Sequence, residues 1–179
     1  MFNDTNNLLS GSLFYSFSGR SSQYYAPLDM VTKGGSVRWG RRFKWPDDYF
    51  RGSWSFTAHQ RVYEADNEEQ LQLYTGGLSK TVGVSITQSL SRDSRDHPEF
   101  PTIGSLMAIS SSISGGPLGG NEDFHKHVLN LEWYTPTVWK FVLMSSVKIG
   151  GIKTLKSNDG ERSLVPFNER FIMGGSGMV

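Results

Sequence analysis

A chain of 179 residues suits one domain, and 37% apolar content with 13% aromatics and 20 glycines fits a β-rich chain better than a helical one. The net charge of +1 argues against a general nucleic-acid footprint, and the lack of cysteine excludes a disulfide framework and any thiol or cysteine-metal chemistry. No apolar run approaches the ~20 residues of a transmembrane helix, which leaves either no membrane span or a β-barrel, whose alternating strands a hydropathy scan misses.

The first residues, MFNDTNNLLSGSLF, show no basic stretch followed by an apolar one, so no signal peptide is visible. Residues 8–18 alternate, with Leu13, Tyr15 and Phe17 on one face and Ser12, Ser16 and Ser18 on the other. A long polar connection over 20–32 carries Tyr24, Tyr25 and Pro27. The next strand, 35–43, sets Val37, Trp39, Arg41 and Phe43 against Ser36, Arg38, Gly40 and Arg42. Residues 44–49 hold Pro46-Asp47-Asp48, which favours a type I turn. The chain returns over 50–63 with Trp54, Phe56 and Ala58 opposite Ser53, Ser55, Thr57 and His59. The acidic stretch 64–74 reads as a long loop or a strand extension, and 78–90 as a strand with Val82, Val84 and Ile86 facing away from Thr81, Gly83, Ser85 and Thr87.

Residues 91–133 read as the tail of that strand followed by one hairpin. Pro98 and Pro101 each remove a backbone donor and fix φ, so the segment from His97 to Thr102 is a turn and neither helix nor central strand. Gly104 opens an extended run to Ile113, a glycine-rich connection spans Gly115 to Gly120, and a strand returns from Phe124 to Trp133. Thr135-Pro136-Thr137 reads as a tight turn. In the strand over 138–149, Trp139, Phe141, Leu143, Val147 and Ile149 oppose Lys140, Met144, Ser146 and Lys148. A polar loop over 150–163 precedes a last element starting at Pro166.

About seven strands of ~9–13 residues match what a tilted membrane-spanning strand needs, where soluble strands average ~5–6. Short connections alternate with long ones, the asymmetry of periplasmic turns and outer loops. Aromatics gather beside the short turns: Trp45, Tyr49, Phe50, Phe100, Trp133, Tyr134 and Trp139, as in an interfacial girdle. A soluble sandwich or lipocalin-like barrel also alternates. The Ser/Thr/Gly-rich inner face turns the apolar face outward, into lipid or into another sheet, and with the strand lengths, loop asymmetry and aromatic placement it favours an all-β, antiparallel transmembrane β-barrel segment of the bacterial outer-membrane type.

Three motifs sharpen this. Arg92-Asp93-x-Arg95-Asp96-x-Pro98-x-Phe100-Pro101-Thr102-x-Gly104-Ser105 resembles the mid-barrel signature of the BamA-type outer-membrane assembly factors, the bacterial surface antigen family. Leu118-Gly119-Gly120-x-x-Asp123-Phe124-x-Lys126 is similar to that family as well, particularly its Bacteroidetes-like members. So is Pro166-Phe167-x-Glu169-Arg170-Phe171-x-x-Gly174-Gly175, which in the family leads into the long loop that folds back into the lumen. The resemblance is close over 79–179 and looser before it, through Phe2-Asn3-Asp4 and the long strands that follow.

The resemblance implies the central part of a barrel that inserts other β-barrels into the outer membrane, using neither nucleotide nor covalent chemistry. Its implied partners are outer-membrane lipids, unfolded outer-membrane clients and periplasmic assembly lipoproteins, with no nucleic acid and no cofactor. Residues 1–179 then form one partial barrel domain, a piece of a longer protein whose periplasmic POTRA domains, remaining strands and templating edge lie elsewhere. In the family an arginine beyond the closing motif reaches lumenal carboxylates and holds the loop inside; here it would lie past Val179. A related translocation barrel (TamA-like, or a two-partner secretion transporter) shares the architecture, and a passive porin is a further alternative.

Other candidate chemistry weighs less. His125 and His127 share a strand face and are able to chelate a metal, but no third ligand lies near in sequence, so they read as paired polar residues and no metal is assigned. Gly115 to Gly120 lacks the Lys-Ser/Thr ending of a phosphate loop. No nucleophile elbow accompanies the Ser, His and Asp residues, so no catalytic residue is expected. Arg92, Asp93, Arg95 and Asp96 are either a lumenal ion-pair ladder or a solvated strand end, where pairs contribute only ~0–1 kcal/mol each. Arg41 falls on the apolar face and belongs near the rim by the Trp45 turn.

Overall fold

A computed structural model describes residues 7–19, 28–155, 165–166 and 169–171. The chain forms an antiparallel meander of β1 (Asn7–Ser18), β2 (Asp29–Arg42), β3 (Phe50–Glu64), β4 (Lys80–Asp93), β5 (Gly104–Ser114), β6 (Phe124–Pro136) and β7 (Val142–Thr154). They build one open seven-stranded sheet in sequence order, with β1 and β7 at its edges. Strands of 11 to 15 residues are long enough to cross a bilayer at a tilt.

Register divides the side chains into two faces of opposite character. Ser36, Thr57, Ser85 and Ser114 line up across β2 to β5 on one face, and Val37, Phe56, Ile86 and Ile113 on the other. Hydroxyl pairs tie the polar face across strands: Ser12 with Ser36 (2.8 Å), Thr87 with Ser112 (2.9 Å) and Ser89 with Ser110 (3.2 Å). Burial is inverted relative to a water-soluble domain. Leu13 is 92% exposed while Glu122 is 1% exposed, and Arg61, Thr81, Ser114 and Asp123 are buried. A sheet with polar groups inside and apolar groups outside is stable where lipid covers the apolar side.

Several boundaries differ from those expected. The acidic stretch after β3 is neither loop nor strand extension but a short helix, α1 (Glu68–Thr75). Glu68 and Glu69 complement the dipole of its first turn, and Gly76 ends it in the left-handed conformation at φ 67°. The strand β2 begins at Asp29 rather than 35, within the stretch expected as a polar connection. Tyr24, Tyr25, Pro27 and Phe2-Asn3-Asp4 lie outside the described residues.

At the other end, β6 runs through Pro136, and Thr137 to Phe141 makes the turn, closed by the Thr137 amide and hydroxyl on the Phe141 carbonyl. Past Tyr134, β6 pairs only with β7, so the donor that Pro136 lacks faces no strand. Trp139 therefore sits in the turn, at φ 68° and 92% exposed, not in a strand. The strand β7 starts at Val142 and continues to Thr154, through residues expected in a polar loop. The turn before β3 contains a cis Trp45–Pro46 bond, which the expected type I turn does not include.

In the middle hairpin, pairing continues past β4 through Ser94 to Ser105 and Asp96 to Ile103, leaving residues 97–102 as the turn. Gly104 opens β5 at φ 113°, with the position of a Cβ pressed against the Ser94 carbonyl. Gly104→Ala is expected to destabilise the sheet by roughly 1–3 kcal/mol, read as a lower denaturant midpoint for tryptophan fluorescence in detergent micelles.

Candidate functional site: a buried charge cluster on the polar face

Four elements converge at the long-loop end of the polar face. Alternation on β3 points His59, Arg61 and Tyr63 inward, beside Gly83 and Thr81 of β4. The strand β4 overshoots β5: its pairing with β5 begins only at Ser85, so the backbone from Lys80 to Val84 needs other partners on that side. The β5–β6 connection supplies them. The Gly115 amide donates to the Val84 carbonyl (2.9 Å), Asn121 exchanges bonds with Val82, and Gly120 bridges Gly83. A 3₁₀ turn, Gly116–Leu118, shapes this connection, and its first amide donates to the buried Asp123 carboxylate (2.6 Å).

The fold-back delivers Glu122 onto the polar face. Its carboxylate accepts from Arg61 Nη1 (2.6 Å), His59 Nε2 (3.0 Å) and the Thr81 hydroxyl (2.6 Å). Burial disfavours its charge, but the His59 hydrogen bond, the Arg61 guanidinium and the Thr81 hydroxyl outweigh that and hold the carboxyl below its ordinary range. A Cβ on Gly83 would lie 2.5 Å from the His59 ring and 2.6 Å from the Glu122 carboxylate, so the cluster needs glycine there.

The closing motif completes the group. Glu169 sets its carboxylate 3.3 Å from Arg61 Nη2 and 3.4 Å from Lys126 Nζ, and its carbonyl accepts from the same ammonium at 2.9 Å. Phe171 lies under Lys126, with the ammonium 5.1 Å from the ring centroid. Two cations, two carboxylates and an imidazole thus join the wall, the β5–β6 connection and the segment after β7. Of the expected closing-motif residues, Pro166 is buried and Arg170 donates to the Val165 carbonyl (3.2 Å), while Phe167, Gly174 and Gly175 lie outside the described residues.

The strand-end motif divides between faces instead of forming one ladder. Arg92 points outward, pairs with Asp47 of the neighbouring turn (2.9 Å) and stands over Tyr49 and Phe50. Asp93 points inward and holds Arg95 at 2.9 Å, with Glu132 at 3.9 Å. Asp96 accepts from the Thr102 hydroxyl and the amides of Thr102 and Ile103, which keep its carboxyl well below the usual carboxylate range. Pro98 and Pro101 flank Phe100 at the exposed tip, where the His97 ring stacks on Phe100.

The aromatics also divide. Trp45, Tyr49 and Trp133 are exposed at the short-turn end, and Trp39 stacks on Trp54 (4.7 Å) on the apolar face. Tyr134 faces inward, donating its hydroxyl to Glu132 (2.9 Å), and so is not part of an outward belt. Arg41 is paired with Gly52 near the short-turn end of β2, where the rim was expected. Most charges on the outward face, Asp29, Arg41, Glu64, Lys80, Arg92 and Lys153, stand at or next to strand ends, while Lys33 stands at the fifth position of β2.

Fold and cluster together define a section of outer-membrane β-barrel wall whose polar side is capped by the chain's own loops. The Omp85 superfamily domain matches residues 2–179, and the chain belongs to that superfamily. The outer membrane protein assembly factor BamA of Nitratidesulfovibrio vulgaris is 26% identical over 157 residues, covering 87% of this chain. The chain spans 19% of that protein's length.

Proposed function

We propose that this chain is the central wall of a barrel that folds and inserts other β-barrel proteins into the outer membrane. The observation that carries this is the placement of Glu169 and Phe171: the segment after β7 turns back onto the polar face and is held there by Arg61 and Lys126. Membership in the Omp85 superfamily and similarity to an assembly factor support it. On this reading the apolar face contacts outer-membrane lipid, the wall serves as scaffold without covalent chemistry, and POTRA domains elsewhere in the protein receive unfolded clients with the help of periplasmic lipoproteins. The related alternative is a translocation barrel that passes a dedicated substrate.

Depletion of the full-length protein in its host distinguishes them. Loss of many outer-membrane barrel proteins at once, restored by the wild-type gene, is expected for an assembly factor. Unchanged barrel proteins with loss of a single exported substrate would replace that reading with translocation.

A further inference from the structure

His125 and His127 take no part in the inward cluster. We propose that they form a two-ligand chelate for a divalent transition-metal ion such as Cu2+, Ni2+ or Zn2+, on the outward face near the long-loop rim. The two side chains project from β6 to the same side, and His125 Nδ1 lies 3.1 Å from His127 Nε2. Two nitrogens each ~2.0–2.1 Å from one metal stand roughly 3.3 Å apart at the tetrahedral angle and about 2.9 Å apart at a right angle. The observed separation falls between these values, and rotation of the two rings, now tilted 59° to each other, would turn both lone pairs to one point.

Three features suit a ligand pair. The other nitrogen of His127, Nδ1, lies 2.9 Å from the Ser111 hydroxyl. When Nδ1–H donates to that oxygen, Nε2 keeps its lone pair, the outer hydrogen bond by which ligating imidazoles are oriented. The strand is held on both sides, by Ser111 and Ile113 of β5 and by Gly151 and Lys153 of β7. Gly151, opposite His127, has no side chain and nothing within 4 Å of where a Cβ would stand, so no group of this strand blocks the remaining coordination positions, which headgroup-level water would fill at the rim.

Among those four cross-strand partners Lys153 alone is charged; it is exposed at the end of a flexible stem and free to turn from the metal. In the metal-free pair one imidazole N–H donates to the facing nitrogen. Metal binding moves the His125 proton to Nε2, so that both facing nitrogens present lone pairs.

Titration of the purified full-length protein in detergent micelles with Cu2+, followed by electron paramagnetic resonance, tests this. One equivalent is expected to bind with a hyperfine pattern from two imidazole nitrogens. His125→Gln and His127→Gln each should reduce the pattern to one nitrogen and weaken binding roughly tenfold or more, and Ser111→Ala should weaken it about tenfold. His97→Gln, in the exposed turn, should change nothing. Absence of saturable binding, or a two-nitrogen pattern that survives in the H125Q/H127Q double variant, overturns the proposal.

Discussion

Glu122→Ala is expected to destabilise the barrel wall by about 3–5 kcal/mol, the loss typical when one partner of a buried ion pair is removed. Arg61 is 7% exposed and would lose its 2.6 Å partner, keeping the more distant Glu169 at 3.3 Å. His59 and Thr81 would each lose a hydrogen-bond acceptor in the same place. Glu122→Gln retains the shape and an acceptor oxygen, and should lose only about 1–3 kcal/mol. Urea unfolding of the full-length protein in detergent micelles gives both numbers. A loss below about 1 kcal/mol for the alanine variant would mean that Arg61 finds water or another acceptor and that the cluster does not hold the wall together.

The same carboxylate predicts a pH response. Its pKa in the folded chain is below the ordinary 4.5, so its stabilisation is whole above that value and is lost as pH falls through the lower folded value. On acidification below about 4.5 the wild-type protein should lose stability more steeply than Glu122→Gln, whose amide has no proton to gain. Parallel curves for the two proteins would show that Glu122 does not carry the charge assigned to it.

The fold was legible in the sequence because a membrane barrel writes its two faces into period-2 alternation. Thr81, Gly83 and Ser85 against Val82, Val84 and Ile86 settle which face of β4 is polar, and the register bears this out. Boundaries were harder where both faces are polar. The residues from Asp29 to Gly34 carry no apolar alternation and gave no sign that β2 had begun. The helix α1 had a readable signal, acidic residues after Asn67 and a Gly76-Gly77 stop, but its apolar stripe is short and the stretch looked like a loop.

The cluster was not legible for another reason. Arg61 is 61 residues from Glu122 and 108 from Glu169, and nothing local pairs them. His59 read as an ordinary member of a polar stripe, Arg61 two positions on drew no reading, and Glu122 fell at an unassigned position within the second motif. What joins them is the overshoot of β4, which obliges the β5–β6 connection to fold back along its edge. A signal was present nonetheless: an arginine on a lumen-facing strand position needs a carboxylate at the same level.

Glu169→Lys is expected to release the segment after β7 from the polar face, whereas Glu169→Ala should loosen it only slightly. Glu169 is 30% exposed, so its two ion pairs are screened, and deleting the carboxylate removes roughly 1 kcal/mol. The Lys126 ammonium would still bond the backbone carbonyl of residue 169 and rest on the Phe171 ring. A lysine in the same place sets a third cation against Arg61 and Lys126, and such juxtaposition costs several kcal/mol. These 179 residues contain no cysteine, so thiols introduced at Gly150 and Phe171, which are in contact, would be the only ones in this section, and any cysteine elsewhere in the full-length protein is replaced by serine first. A short bifunctional thiol reagent should join them in the parent and in the alanine background, with a yield about tenfold or more lower in the lysine background. The Phe171 ring is absent from all three, so equal yields would place the hold on the Lys126 bond to the backbone carbonyl of residue 169 rather than on charge. If the segment must be held for assembly, Glu169→Lys should also fail to restore outer-membrane barrel proteins after depletion while Glu169→Ala restores them; restoration by both would separate the loop contact from the proposed activity.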